Sequence, residues 1–283
     1  KWEVPKPLVS LCVIFRNNVE SIRALLDSVV GHFDEFVFTD TGCTDQTRSI
    51  IEGWLRGKNG KVTEFAWCDD FAKARQANFD AASGQWRMFL DTDDVLQNGE
   101  KVRLLTSKLN TAHPSIRGVF IPLDYDVDEK LATMRLAKWD GNWSWHDSIH
   151  ERLEWTDPSG VIGLGTEAFA RTTELNVLPK RTSPEEQAAA IARNAIIAIR
   201  EYGTATDSRY KARLARTIAM EMKLKNLGEE ALPYLAEVWE GYQNLAEGRQ
   251  AASDAMKCHL VAGRLDEALV WACRAGPSYE ALV

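Results

Sequence analysis

In Trp86-Arg87-Met88-Phe89-Leu90-Asp91-Thr92-Asp93-Asp94 a short, largely apolar run ends abruptly in three carboxylates. A run of this length and character suits a strand buried in a parallel sheet. Carboxylates at its carboxyl end stand where open α/β sheets bind their ligands. Asp91 and Asp93 are one residue apart, so on an extended chain they share a face and can meet one hard cation. Mn²⁺ or Mg²⁺ takes such oxygen ligands and completes its shell with water and phosphate oxygens, so the implied partner is a diphosphate. The same tetrapeptide also fits a solvated acidic turn, and the surrounding sequence has to decide between the two.

Upstream, Leu8 to Phe15 is nearly continuous in apolar residues and predicts a strand buried on both faces. Ile22, Leu25, Leu26 and Val29 then fall at helical spacing, predicting a helix from near Val19. Glu35 to Thr39 predicts a second strand, ending in Asp40-Thr41-Gly42-Cys43-Thr44-Asp45, a turn able to cap a helix carrying Ile50, Ile51, Trp54 and Leu55. Lys61 to Phe65, Phe71 to Ala82 and Trp86 to Leu90 continue as strand, helix and strand. This alternation predicts right-handed crossovers and an open, mostly parallel α/β sheet flanked by helices, with both acidic turns at its carboxyl edge.

Downstream, the stretch from Arg117 to about Phe169 reads as strands and loops, with Trp139, Trp143 and Trp145 followed by His146 and His150. Ser183-Pro184-Glu185-Glu186 is a helix-start signature, and the alanine-rich remainder is helical by pattern. Within it Leu227-Gly228-Glu229-Glu230-Ala231-Leu232 resembles Arg264-Leu265-Asp266-Glu267-Ala268-Leu269 at a separation near that of tetratricopeptide-type repeats. The expected organisation is a catalytic domain over 1–182 and an all-α domain of helical hairpins over 183–283.

The totals limit the choice of function. A net charge of −7 argues against a general attraction to nucleic acid or anionic lipid. No stretch approaches the roughly 20 uninterrupted apolar residues of a membrane span. Cys12, Cys43, Cys68, Cys258 and Cys273 are odd in number and widely scattered, the pattern of reduced thiols rather than of a disulfide framework or a zinc site. With no legible leader at Lys1, a cytoplasmic setting is expected.

Taken in order, Phe38-Thr39-Asp40-Thr41-Gly42-Cys43-Thr44-Asp45, then Trp67-Cys68-Asp69-Asp70-Phe71-Ala72-Lys73-Ala74-Arg75-Gln76-Ala77-Asn78, then Asp91-Thr92-Asp93, then His150-Glu151 make the chain similar to family-2 glycosyltransferases of the GT-A (Rossmann-like) fold. It departs from that pattern at Arg16-Asn17-Asn18, where lysine, asparagine and glutamate are common, and at Cys43, where serine is usual. The resemblance implies a UDP-linked or related sugar donor held by Phe15, Arg16, Asn17, Asp40, Arg75, Asp91 and Thr92. It implies a cation on Asp93, Asp91 and His150, and transfer with inversion. Displacement at the sugar carbon needs a base for the acceptor's proton, with Glu151 the first choice and Asp147 the second.

Trp143 and Trp145 alternate on a strand and offer either a stacking platform for a sugar or acceptor ring, or filling for the core. The acceptor class stays open among proteins or peptides, saccharides and modified DNA bases. A protein partner or a second copy could dock on the C-terminal helices. Two other functions compete. Phe89-Leu90-Asp91-Thr92-Asp93-Asp94-Val95-Leu96 also fits haloacid-dehalogenase-like phosphatases, with Asp91 as nucleophile. Alternatively the helical tail is a working scaffold and the front domain a degenerate nucleotide binder.

Overall fold

The computed structural model describes residues 8–124, 131–156, 168–179, 183–243 and 245–276. The chain divides into two compact units, Lys1–Arg181 and Thr182–Val283.

The first unit is built on strand β1, Val9–Phe15, whose Val9, Leu11, Cys12, Val13 and Phe15 are all almost fully buried. Burial on both faces is why its sequence runs apolar without alternation. Helix α1 (Ile22–Val29) and strand β2 (Glu35–Asp40) follow, then α2 (Thr47–Leu55), β3 (Gly60–Glu64), α3 (Phe71–Ala81) and β4 (Trp86–Phe89). Next come β5 (Asp94–Gln97), α4 (Val102–Ala112), β6 (Gly118–Leu123), β7 (Leu131–Lys138), the hairpin β8 (Trp143–His146) and β9 (Arg152–Trp155), then β10 (Phe169–Arg171) and β11 (Asn176–Pro179).

Among the described residues, nine strands form one sheet in the order β3-β2-β1-β4-β7-β6-β11-β5, with β10 added beside β6. Strands β1 to β4 pair in parallel, as expected, while β7 runs antiparallel to both β4 and β6. Side chains of α1, α2 and α4 share a core with Val9, Leu11, Val13 and Phe15. Those of α3 pack with Cys12, Val37 and Trp145 in a second cluster, so helices cover both faces of the sheet.

Several element bounds differ from the sequence expectation by one residue, and helix α4 was not expected. Helix α1 starts at Ile22 rather than near Val19, because Asn18 to Ser21 form a turn whose Asn18 carbonyl accepts from Ser21 and Ile22. Strand β4 stops at Phe89, one residue earlier than expected. Strand β5 was not expected; it pairs antiparallel with β11. Of the stretch between Arg117 and Phe169, residues 125–130 and 157–167 lie outside the described residues.

Register brings the functional loops to one edge. Phe15 pairs with Asp40, and Asp40 with Glu64, so β1, β2 and β3 end level. On the other side of β1, Cys12 pairs with Phe89, and the Leu90 amide reaches the Cys12 carbonyl at 3.4 Å. The chain then turns into Asp91 beside the end of β1. At the opposite edge the buried Glu35 accepts from Ser10 Oγ (2.5 Å), Ser83 N (2.7 Å) and Ser83 Oγ (3.0 Å). Gly84 is required there, since a Cβ at this position would lie 2.3 Å from Ser10 Oγ and 2.8 Å from its amide.

The second unit is a run of helices, α5 (Pro184–Tyr202), α6 (Ser208–Leu224), α7 (Gly228–Gly241), α8 (Ala246–Val261) and α9 (Leu265–Ala275), each packed on the next. Helix α5 opens with a capping box: Ser183 Oγ accepts from Glu186 N, and Glu186 Oε2 accepts from Ser183 N. The two similar segments occupy equivalent turns. Each is preceded by one left-handed residue, Asn226 (φ 59°) or Gly263 (φ 72°), two positions before a helix begins. The core is rich in alanine (Ala215, Ala219, Ala251, Ala252, Ala255), which lets the helices approach closely, with Trp271 filling one end.

Candidate active site

The acidic stretch after β4 is a closed turn and not an extended segment. The Asp94 amide donates to the Asp91 carbonyl (3.0 Å), and the Asp91 amide donates to Asp94 Oδ2 (2.8 Å). The alternation argument for Asp91 and Asp93 therefore fails. Asp91 is instead gripped by two arginines, with Arg75 Nη2 on its Oδ1 at 2.6 Å and Arg135 Nη1 on its Oδ2 at 3.3 Å. Arg75, on α3 and 6% exposed, also places Nε on Glu151 Oε1 at 2.7 Å. Arg135, on β7, places the same Nη1 on Asp94 Oδ2 at 3.2 Å. A chain of alternating charge results: Glu151, Arg75, Asp91, Arg135, Asp94.

The surroundings explain how these charges are tolerated indoors. Both guanidinium groups lie over the Phe89 ring, 5.0 Å away for Arg75 and 4.6 Å for Arg135, and Arg75 is also 5.3 Å from the Trp145 ring. Burial alone would raise the Asp91 carboxyl, but Arg75 and Arg135 outweigh it and hold the group well below the usual carboxylate range. Asp94 goes the other way. Burial and the Asp91 charge push it up to about 7, against the partial relief given by Arg135.

Of the residues expected to hold a cation, Asp91, Asp93 and His150 are not gathered. Among the described residues no three His, Cys, Asp or Glu side chains converge as a metal-holding group. The physical reasons are the arginines on Asp91 and the position of His150, an exposed residue held at φ 53°. Asp93, half-buried in the turn, fits a hard cation that takes one protein carboxylate and otherwise water and phosphate oxygens.

The donor-side residues divide. Asp40 spends Oδ1 on the Gly42 and Cys43 amides (2.9 and 2.7 Å), with Arg48 3.4 Å from Oδ2, so it shapes its own turn. Asn17, left-handed at φ 53°, ties the two strand-end turns together: its Oδ1 accepts from Thr44 N at 2.7 Å, and its amide donates to Cys43 Sγ at 3.2 Å. Cys43, at the serine position, is thus a working acceptor in this link. Arg16 is exposed, Thr92 is buried, and Phe15 belongs to the core, where it meets Phe38 edge-on.

Glu151 is beside Arg75 as described. Asp147, also left-handed (φ 70°), is paired to Arg152 at 2.8 Å. Non-glycine residues in this backbone region are uncommon and cluster at functional loops. Asn17, Asp69, Asp147 and His150 all lie in loops of this edge. Trp143 and Trp145 are buried, at 3% and 8% exposure, and Trp145 packs edge-on against Phe79 and Phe89. Neither presents an open ring, so core filling and not a stacking platform is what the fold shows. Arg135 and Asp94 complete this charge cluster and were not singled out from the sequence. The available signal was an arginine inside the buried run Arg135-Leu136-Ala137.

An open α/β sheet with a carboxylate cluster at its carboxyl edge serves many chemistries, and comparison with known proteins makes the class definite. The chain belongs to glycosyl transferase family 2, whose sequence profile matches residues 10–169, more than half its length. A family-2 glycosyl transferase domain over these residues sets aside the phosphatase reading.

The chain is similar to the SPbeta prophage-derived glycosyltransferase SunS of Bacillus subtilis, 26% identical over 147 residues, which are 51% of this chain and 34% of SunS. A TPR repeat-containing protein of Synechococcus elongatus is 38% identical over 88 residues, 31% of this chain and 21% of that protein. The matched segments therefore span about a third and a fifth of those relatives. Among solved structures, S. aureus TarS 1-349 in complex with UDP-GlcNAc has a TM-score of 0.50 at 14% identity, covering 96% of this chain and 93% of that one. S. aureus TarS has the same score and identity, covering 93% and 54%. These likenesses show the fold. No helix among the described residues is long and apolar enough to cross a membrane.

Proposed function

We propose that the protein transfers a sugar from a UDP-linked donor to an acceptor with inversion, in a reaction dependent on Mn²⁺ or Mg²⁺. The observation that carries this reading is the Arg75 bridge, which joins Asp91 of the turn after β4 (2.6 Å) to Glu151 (2.7 Å). Two carboxylates of different function are thereby held a fixed distance apart by one rigid guanidinium.

Asp93 would hold the cation, which supplies Lewis-acid stabilisation of the charge developing on the departing diphosphate. Asp91, kept ionised by its two arginines, accepts from a ribose hydroxyl or from a water on the cation. Glu151 takes the proton of the acceptor's nucleophilic group as that atom bonds to the anomeric carbon. The bond from this carbon to the diphosphate oxygen breaks, and UDP leaves with the electron pair. Asp147 is the second choice of base. The helices after Ser183 hold the acceptor or a protein partner, in keeping with the paired, equivalent turns at Asn226 and Gly263.

The test is a panel of UDP-, GDP-, ADP- and TDP-sugars with Mn²⁺ or EDTA, reading release of free nucleoside diphosphate. UDP-sugar turnover that stops with EDTA and returns with Mn²⁺ is expected. Absence of metal-dependent release from every donor sinks the proposal.

A further inference from the structure

We propose that Arg135 is a positioning residue for the donor: by bridging Asp91 and Asp94 it locks the acidic turn onto the sheet in its donor-binding form. The inference rests on the function proposed above. The antiparallel register of β4 and β7, with Trp86 opposite Lys138 and Met88 opposite Leu136, carries Arg135 to the level of Phe89, just before the turn. There a single nitrogen, Nη1, reaches both ends of the turn, at 3.3 Å to Asp91 and 3.2 Å to Asp94. Thr133 Oγ1 accepts from Arg135 Nε at 3.3 Å, and Phe89 lies beneath the guanidinium, so the group is fixed from its own strand as well.

Beyond β5, in which Asp94 pairs with Pro179 of β11, two arginines fasten the turn to its surroundings. Its internal bonds, between the Asp91 amide and Asp94 Oδ2 and between the Asp94 amide and the Asp91 carbonyl, hold its shape but do not attach it to the sheet. Arg75 attaches it from α3, on the side of Glu151. Arg135 attaches it from β7. The two arginines thus divide the work: Arg135 sets where the turn meets the donor, and Arg75 couples the turn to the base.

The division predicts a split between binding and rate. Binding of UDP with Mn²⁺ is measured by isothermal titration calorimetry on the full chain, and kcat and donor KM from UDP release. Arg135→Met is expected to weaken UDP–Mn²⁺ binding and raise donor KM by about tenfold, the scale of one lost charge-assisted hydrogen-bond pair. Its kcat at saturating donor stays within about threefold. Arg135→Lys keeps the charge but cannot bridge two carboxylates with a planar fork, and falls between wild type and Arg135→Met. Wild-type affinity in Arg135→Lys, whether Arg135→Met folds and binds normally or does not fold at all, overturns the inference, because the bridge is then dispensable for the donor. A kcat loss with unchanged affinity overturns it too. Should the wild type itself bind no UDP with Mn²⁺, the donor assignment fails along with this inference, and that outcome is visible in the wild-type titration before any variant is compared.

Discussion

Replacing Arg75 by methionine removes a group that touches both Asp91 and Glu151, and the geometry sets the scale of the damage. Glu151 is 16% exposed in its side chain and loses a 2.7 Å charge-assisted bond, a loss of about 1.5–3 kcal/mol. Asp91 loses its 2.6 Å bond, but it is 38% exposed and keeps Arg135, so screening discounts this part to about 1 kcal/mol or less. Removing one partner of a wholly buried pair costs about 3–5 kcal/mol, and about 3 kcal/mol is therefore the expected total. At about 2–4 °C per kcal/mol for a unit of this size, the catalytic unit's Tm falls by about 6–12 °C. Thermal unfolding followed by near-ultraviolet circular dichroism reads this, with Trp145, 5.3 Å from the Arg75 guanidinium, among the contributing rings. Arg75→Lys, which can satisfy only one carboxylate at a time, loses about half as much. Because the site is sheltered, 1 M NaCl leaves the difference largely in place. A Tm shift under about 2 °C, or one that salt abolishes, would show that the bridge is a surface ion pair of little consequence and refute the reasoning.

Asp93→Ala leaves the fold intact and abolishes metal-dependent UDP release; near-normal turnover at saturating donor would mean that the cation is held elsewhere. Glu151→Gln keeps UDP–Mn²⁺ affinity by calorimetry and lowers transfer by about 100-fold or more, whereas an unchanged rate moves the base to Asp147. Glu35→Gln destabilises the chain by about 1–3 kcal/mol at pH 7. Burial raises the Glu35 carboxyl, but hydrogen bonds from Ser10 and Ser83 outweigh it, leaving the group lowered. Its contribution is thus complete above the unfolded value of about 4.3 and is lost as pH falls through the depressed folded value. The gap between wild type and Glu35→Gln, read from urea unfolding, closes below about pH 4; a gap that widens on acidification contradicts the assignment.

The sheet was legible where burial on both faces imposes a continuous apolar run. Val9 to Phe15 and Phe36 to Phe38 admit little else, and the helical spacing of Ile22, Leu25, Leu26 and Val29 is a local signal that tertiary packing only reinforces. Strand β5 was not legible, because its partner is β11, with Asp94 opposite Pro179. Nothing in Asp94-Val95-Leu96-Gln97 announces a partner so distant in sequence. The start of α1 was displaced for a similar reason. The Asn18 and Val19 amides donate to Thr47 Oγ1 and Asp45 Oδ2, which ties the chain ahead of the helix to the turn after β2. Local patterns report what one element does by itself, and these residues answer to another element.

The site follows the same division between residue types and their directions. Carboxylates at strand ends, an arginine on α3 and a histidine–glutamate pair could be singled out from the chain, but which of them face one another could not. Asp91 and Asp93 would share a face only if the backbone were extended, and the Asp94 amide, by bonding to the Asp91 carbonyl, closes it into a turn. Arg135 shows how far the argument could have gone. An arginine beside Leu136 and Ala137, both with 0% exposure, must be paired or it would be expelled, so an acidic partner was deducible in kind. Naming that partner requires the pairing of β7 with β4, because shifting this register by one residue would send the guanidinium to the opposite face of the sheet. The charge balance of the acidic turn is therefore a consequence of strand register, which is why the turn's own sequence does not reveal it.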